Sequence, residues 1–317
     1  MEKAKGIQPK AVSGTKSGRR FKSQYQLYLM IFPALIFVTL FFYLPLSGWV
    51  MAFTDYKLGQ NMFTAPWVGL KHFQRFFSGV DNAWYTVENT LVINLCSLFL
   101  GLVFACFFAI LLNEVRSKAC KKFVQTVSFF PYFVSWVIAY MLLNSFLAVK
   151  SGVLNQLLIQ VGLLKTGISF LGDPKYSWGL VIFANIWKSL GYNSVIFLAA
   201  LAGIDAEQYE AADIDGATRL QKIHYITLPG LAPTLVMLLI ISSGGIFNSS
   251  FEQMYLFSNT TNWSRMEVLD LYIYKYGLGN LQFSYATAVG IIRTLASILM
   301  FSIVNLTAKK INGQSLV

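Results

Sequence analysis

This 317-residue chain is poor in the residues that do chemistry. It has two histidines, His72 and His224, far apart, and three cysteines, Cys96, Cys106 and Cys120. Cys96 and Cys106 lie in one apolar stretch and Cys120 in a basic loop, so none has disulfide or metal-site spacing. The first two read as small apolar core residues. No nucleophile motif, phosphate-cradling glycine loop or catalytic His/Asp/Glu grouping is present. The sequence therefore points to no resident metal or cofactor and no ATP hydrolysis by this chain. Charge is scarce as well: 12% of residues, against 56% hydrophobic and a mean hydropathy of +0.56. That composition excludes an ordinary soluble domain and fits an all-α polytopic membrane protein. A net charge of +11 invites a nucleic-acid reading. The basic residues, however, flank apolar runs instead of gathering on one face, so no nucleic acid is expected.

Six apolar runs are long enough to cross a bilayer: about Leu27–Phe53, Val87–Leu112, Val124–Ala148, Trp178–Ala202, Leu231–Phe251 and Gln282–Ala308. Pro33 and Pro45 mark bends or interface breaks in the first. A basic tail, 1–23, precedes a transmembrane domain, 24–317. The first run is too long for a signal-peptide core and lacks a small-residue cleavage site. The tail binds anionic lipid, docks elsewhere or stays disordered. The tail, the loops at 114–123 and 204–230, and the C-terminal end together hold 15 Lys and Arg, and the three opposite loops hold 8. That bias puts both termini in the cytoplasm. No internal repeat and no second soluble domain is visible.

One stretch breaks the apolar pattern. Residues 205–229 read DAEQYEAADIDGATRLQKIHYITLP. Asp205 with Gln208 forms a capping-box pattern, and Gly216 is a natural helix stop. Thr218 with Gln221 repeats the box, and Pro229 should end the second helix. The prediction is two short helices meeting at a glycine corner. Asp205, Glu207, Glu210, Asp213 and Asp215 crowd the first one, where they suit its positive end. His224 in this loop reads as a packed or solvent-exposed ring, with pH sensing the weaker alternative.

The offsets of Glu210-Ala211-Ala212, Asp215-Gly216-Ala217 and Leu228-Pro229 resemble the EAA loop of the membrane subunits of ATP-binding-cassette importers. Weaker matches run through the rest. Val68-Gly69-Leu70 with Phe73, inside an amphipathic piece from Trp67 to Phe77, resembles a segment that follows the first span in sugar-type permeases. Glu88-Asn89-Thr90-Leu91, and Gly152 with Asn155, resemble the same family. The chain is similar to the sugar and oligosaccharide branch, maltose-type or LplB-like, whose first span lies outside a shared core of five helices.

The resemblance implies a type I importer fold in a prokaryotic plasma membrane. It implies a second, non-identical permease, two cytosolic ATPases that bind ATP and Mg, and an extracellular solute-binding protein. The loop would dock in an ATPase cleft and transmit closure of the ATPase pair to the fourth and fifth spans, turning the pathway outward to accept sugar. Its coupling residues would be Glu210, Ala211, Ala212, Asp215, Gly216, Ala217, Leu228 and Pro229.

Two fixed charges fall inside spans, Lys188 and Arg293, at similar expected depth. Around them stand Asn185, Trp187, Tyr192 and Asn193 in the fourth run, and Asn248, Ser249, Ser250, Glu252 and Gln253 closing the fifth. Gly244-Gly245 predicts a kink there. Amides, hydroxyls and aromatic rings are what a sugar needs. Intramembrane charges face a bundle interior or a wet cavity. These two either line a pathway, pointing to an acidic oligosaccharide, or pair with Glu252, backbone carbonyls or the second permease. The rival readings are a secondary transporter or channel for a polar solute, which lacks its coupling carboxylates here, and a membrane enzyme or scaffold.

Overall fold

The computed structural model describes residues 25–79 and 83–312; the tail expected at 1–23 lies outside the described residues. Among the described residues the fold is helical throughout, with one isolated antiparallel bridge, Thr54–Trp67. The chain divides at Val50 into two compact units.

The first unit is one apolar rod. Helix α1 (Tyr25–Val38) runs into a wide π turn (Thr39–Tyr43) and then a tight 3-10 stretch (Leu44–Phe53). Pro45 explains the change of pitch: it has no N–H, and its ring crowds the preceding turn. The widened turn, closed by Leu44 N–H on Thr39 O, absorbs that crowding.

The second unit is built on two long helices running in the same direction, α3 (Ala83–Glu114) and α7 (Pro174–Ala202), which pack along much of their length. A short helix, α2 (Lys71–Phe77), precedes them and buries His72 and Phe76. Ala105, Ala109 and Cys106 meet Phe197, Leu201 and Leu231 in one core cluster, so Cys106 is a small core residue as read. Alanines and a cysteine at such contacts let helix backbones approach where burial from water cannot drive association.

The third run departs from expectation. Instead of one span it forms α4 (Lys118–Phe129) with a 3-10 turn (Phe130–Phe133), then α5 (Trp136–Leu147), bent by 106° at the break. Pro131 removes a ladder donor, and Ser135 starts the second piece afresh with its hydroxyl on Ile138 N–H at 3.4 Å. Among the described residues five helices are long and apolar enough to span, and six if the bent pair is counted as one span.

The fifth run differs at both ends. The apolar helix extends over Arg219–Ser243, comprising α9 (Arg219–Lys222), a π turn (Ile223–Thr227) and α10 (Leu228–Ser243). Pro229 therefore does not end the second short helix. The π turn, closed by Leu228 N–H on Ile223 O, carries the helix past the proline just as the turn before Pro45 does. At the other end, Ser243 is followed by turns through Gly244 and Gly245, so the helix stops there instead of kinking. The chain then forms α11 (Phe251–Phe257), α12 (Trp263–Met266), α13 (Leu269–Tyr274) and the last span, α14 (Phe283–Asn312).

Polar residues pin the loops at one end of the bundle. Asn89 Nδ2 donates to Ser264 O and Glu267 O (3.0 and 3.1 Å), and Trp178 Nε1 donates to Asn89 Oδ1 at 3.2 Å. Asn155, on the short helix α6 (Val153–Gln160), closes the loop after α5 by bonding Ala148 O and both backbone groups of Ile168. Asn89 and Asn155 belong to two of the weaker family-like motifs.

Gly191 is where α7 touches the break most closely. A Cβ there would lie 2.1 Å from Ser128 O, whereas one at Gly179, on the same helix, would meet nothing within 4 Å. We expect Gly191→Ala to destabilise the fold by about 1–3 kcal/mol through overpacking. Gly179→Ala should be neutral or stabilising by up to ~1 kcal/mol. Thermal unfolding of the purified variants in detergent checks the contrast.

Candidate functional site

The corner between α7 and α10 is built as its sequence predicts, with two corrections. Helix α8 (Ala206–Ile214) starts with Asp205 Oδ1 accepting Glu207 N–H at 3.0 Å. The cap forms, but Gln208 does not complete a box. The helix ends in a Schellman motif: Ala217 N–H reaches Ala212 O (2.9 Å) and Gly216 N–H reaches Asp213 O (3.1 Å). Gly216 sits at φ 74°, a left-handed conformation that only glycine enters without strain. Thr218 and Gln221 form the full reciprocal box that opens α9. The second correction is the one above: α9 is the foot of the fifth span, not a separate short helix.

Two contacts brace the corner. Tyr209 OH lies 2.9 Å from Thr227 Oγ1, and Lys222 Nζ donates to Asp213 Oδ1 at 2.6 Å. The arms of the corner are thus held to each other and to the start of α10. Glu210, Ala211 and Asp215 are exposed, as are Leu228 and Pro229; Ala212 and Ala217 are half-buried. Ile214, Leu220 and Tyr225 stand 87%, 78% and 73% exposed around them. Three bare apolar side chains on a polar module mark a surface made for contact. His224 is exposed and meets Tyr225 edge-on.

Inside the bundle the predicted polar residues separate into two groups. Lys188 Nζ donates to Tyr132 O at 2.8 Å, to Pro131 O at 3.4 Å and to Val134 O. It also lies 5.4 Å from the centre of the Trp136 ring. It is therefore the donor that the broken third span lacks. One turn on, Tyr192 stacks on Tyr132 with ring centres 4.3 Å apart and planes 7° off parallel, and Phe129 leans on both. Tyr132 and Tyr192 keep exposed faces beside half-buried Asn185 and Asn193. Trp187 is turned elsewhere, toward an apolar cavity with Leu143 and Phe183.

The second group surrounds Arg293, which pairs with Asp270 on α13 and not with Glu252. Asp270 Oδ2 also accepts Ser249 N–H at 2.8 Å. Asn94 on α3 donates to Ser249 Oγ and to Ile246 O. Asn248, Ser250 and Glu252 are exposed beside an aromatic trio of Phe251, Tyr255 and Tyr274, whose ring centres lie 5.1–5.8 Å apart. Gln253 is 0% exposed and donates to Val181 O at 3.1 Å, which makes it a core residue in this structure.

The sequence reading missed Asp270, Asn94, Phe129 and Tyr132. Asp270 carried a signal, an acid flanked by Leu269 and Leu271; so did Asn94, an amide inside the second span. Nothing local marks Tyr132, whose exposure depends on the break. Among the described residues no group of three metal-ligating side chains occurs.

Comparison with known proteins agrees with this architecture. Residues 97–313 match the family described as binding-protein-dependent transport system inner membrane component. LplB of Bacillus subtilis (strain 168) is 37% identical over 92% of this chain and 90% of its own length. YteP of the same organism, a polygalacturonan/rhamnogalacturonan transport system permease protein, is 39% identical over the same shares. Among solved structures, a bacterial ABC transporter importing the acidic polysaccharide alginate superposes with TM-score 0.86 at 34% identity, covering 94% of this chain and 100% of its own. The same kind of importer in complex with an alginate pentasaccharide-bound periplasmic protein gives TM-score 0.87 at 33% identity, covering 95% and 100%.

Arg293 and Asp270 should behave as a unit. Either single alanine substitution leaves one charge unpaired in a low-dielectric setting, and we expect a loss of about 2 kcal/mol. The double substitution should lose less than the two singles combined. A double-mutant cycle on unfolding in detergent measures the coupling.

Proposed function

The chain belongs to the binding-protein-dependent transport system inner membrane component family, a permease subunit whose ATP is hydrolysed on separate chains, and on that premise we propose that it conducts oligosaccharides into the cell. Family membership sets aside the secondary-transporter and channel readings. The observation that carries the proposal is the braced corner at 205–229, with Ile214, Leu220 and Tyr225 bare. An exposed apolar cluster on a capped, rigid helix fits the surface cleft of an ATPase. A second permease, two such ATPases and an extracellular solute-binding protein complete the assembly. The Lys and Arg bias supports an orientation with the corner and both termini in the cytoplasm.

In this reading, closure of the ATPase pair, driven by ATP and Mg held on those chains, displaces α8. The Tyr209–Thr227 and Asp213–Lys222 contacts pass the displacement to the foot of the fifth span. Gly203 and Ile204 pass it to α7. Because Lys188 and Gly191 grip the break of the third span, α7 carries the Tyr132–Tyr192 stack with it. Exposed aromatic faces beside Asn185 and Asn193 suit a pyranose ring and its hydroxyls. Asn248, Ser249 and Ser250 offer the same chemistry near the trio of Phe251, Tyr255 and Tyr274.

An acidic oligosaccharide is the substrate we favour, on grounds other than the two intramembrane cations. Arg293 is neutralised by Asp270, and Lys188 is occupied by carbonyl oxygens. Support comes instead from relatives described as handling polygalacturonan and alginate. Uptake by the reconstituted importer should therefore favour uronate oligosaccharides over neutral ones of equal length. Lys188→Met should depress uptake of both alike. Preferential loss of acidic uptake would return Lys188 to the pathway as a charge.

Gly216→Val forces a branched residue to φ 74°, a strain of about 1–2 kcal/mol. We expect insertion and ATPase activity to persist while uptake per ATP falls about tenfold. Parallel assays of ATP hydrolysis and saccharide uptake in proteoliposomes check this, and a normal ratio would rule out the corner as the coupling element.

A further inference from the structure

A pocket of about 680 Å³ opens between the segment after the first span, helix α2 and the turn before the last span. Its walls carry Lys57, Lys71 and Arg75 against a single carboxylate, Asp55. His72 adds no cation at neutral pH, because burial pushes its imidazole below the ordinary value while Nε2 stays 3.2 Å from Thr54 O. Arg75 is fixed in place: it donates to Gln282 Oε1 at 2.8 Å and lies 4.2 Å from the centre of the Tyr285 ring. Lys57 and Lys71 are exposed at the rim.

A second observation concerns the same rim. Leu281 has φ 55°, the one positive φ outside glycine among the described residues, and it is 52% exposed. Gln282 N–H on Tyr276 O (2.8 Å) and the Arg75–Gln282 bond hold the turn that presents it. A leucine there carries backbone strain and bares apolar surface at once, and glycine would remove both penalties. Fold stability does not account for it. Leu58 and Leu70, each next to one of the lysines, are exposed too.

Exposed leucines beside a cationic pocket are the make-up of a protein interface, where desolvating contacts surround charged anchors. Of the groups that would bind a saccharide's hydroxyls, Gln282 is already taken by Arg75 and the one carboxylate, Asp55, stands against three cations. We propose that this pocket is a socket for an acidic side chain of the extracellular solute-binding protein. The inference rests on the importer reading above and on its orientation, which puts residues 55–78 and 281–285 outside.

The test uses the whole importer in nanodiscs and its cognate saccharide-loaded solute-binding protein, with Kd measured at two salt concentrations. Combined Lys57→Glu and Lys71→Glu should raise Kd about tenfold or more and flatten its salt dependence. Leu281→Gly should raise Kd about threefold while the unfolding midpoint stays equal or rises. Unchanged Kd in the double variant would overturn the socket. So would binding of a free uronate oligosaccharide, without the binding protein, that the double variant abolishes, because the pocket would then be a sugar site. If the unaltered importer binds no solute-binding protein at all, the importer reading itself fails, a result separable from both.

Discussion

A carbonyl oxygen inside a bilayer has no water to turn to, and each one left unmatched destabilises the protein by several kcal/mol. The third span breaks at Pro131, whose carbonyl still accepts Val134 N–H at 3.1 Å, and leaves the carbonyls of Tyr132 and Val134 outside the helix ladder. Lys188, from the middle of α7, meets all three. Gly191, one turn along, lets the two backbones come close enough for this to happen. A half-buried cation inside a span and a bent span would each be unfavourable alone. Together they satisfy one another, and the Tyr132–Tyr192 stack exists because they do.

The same junction gives the proposed mechanism its mechanical continuity. Helix α7 ends at the corner and grips the break at its middle. The fifth span begins at the corner without a joint, since the π turn before Pro229 keeps Arg219–Ser243 in one piece. Displacement at α8 therefore reaches two spans through packed helix and not through loops. The exposed Gly216 corner, with nothing within 4 Å of where its Cβ would be, is free to seat in a partner while its hydrogen bonds hold its shape.

Much of this was legible in the residues. Gly216 at positive φ, the Thr218–Gln221 box and the all-helical, span-rich architecture follow from local stereochemistry and hydropathy, which a single sequence states directly. The misses share a cause. Pro229 stops a regular helix, but a wide turn absorbed it, and no residue pattern announces a π turn. Lys188 and Arg293 are plain in the sequence, yet their partners, carbonyls at a distant break and an acid in a segment read as loop, depend on tertiary contacts. Gln253 reads as a solute ligand because amides bind sugars; only its burial against Val181 O assigns it to the core.

The central claim is that the corner, α7 and the broken third span move as one body. Spin labels at Ile214 and Phe133, both exposed, would report the distance across that body in the assembled importer. The account predicts the same separation without nucleotide and with ATP trapped on the ATPases, while the distance from Ile214 to the second permease shortens. A separation between Ile214 and Phe133 that changes with nucleotide would contradict it, since the corner would then move without carrying the break.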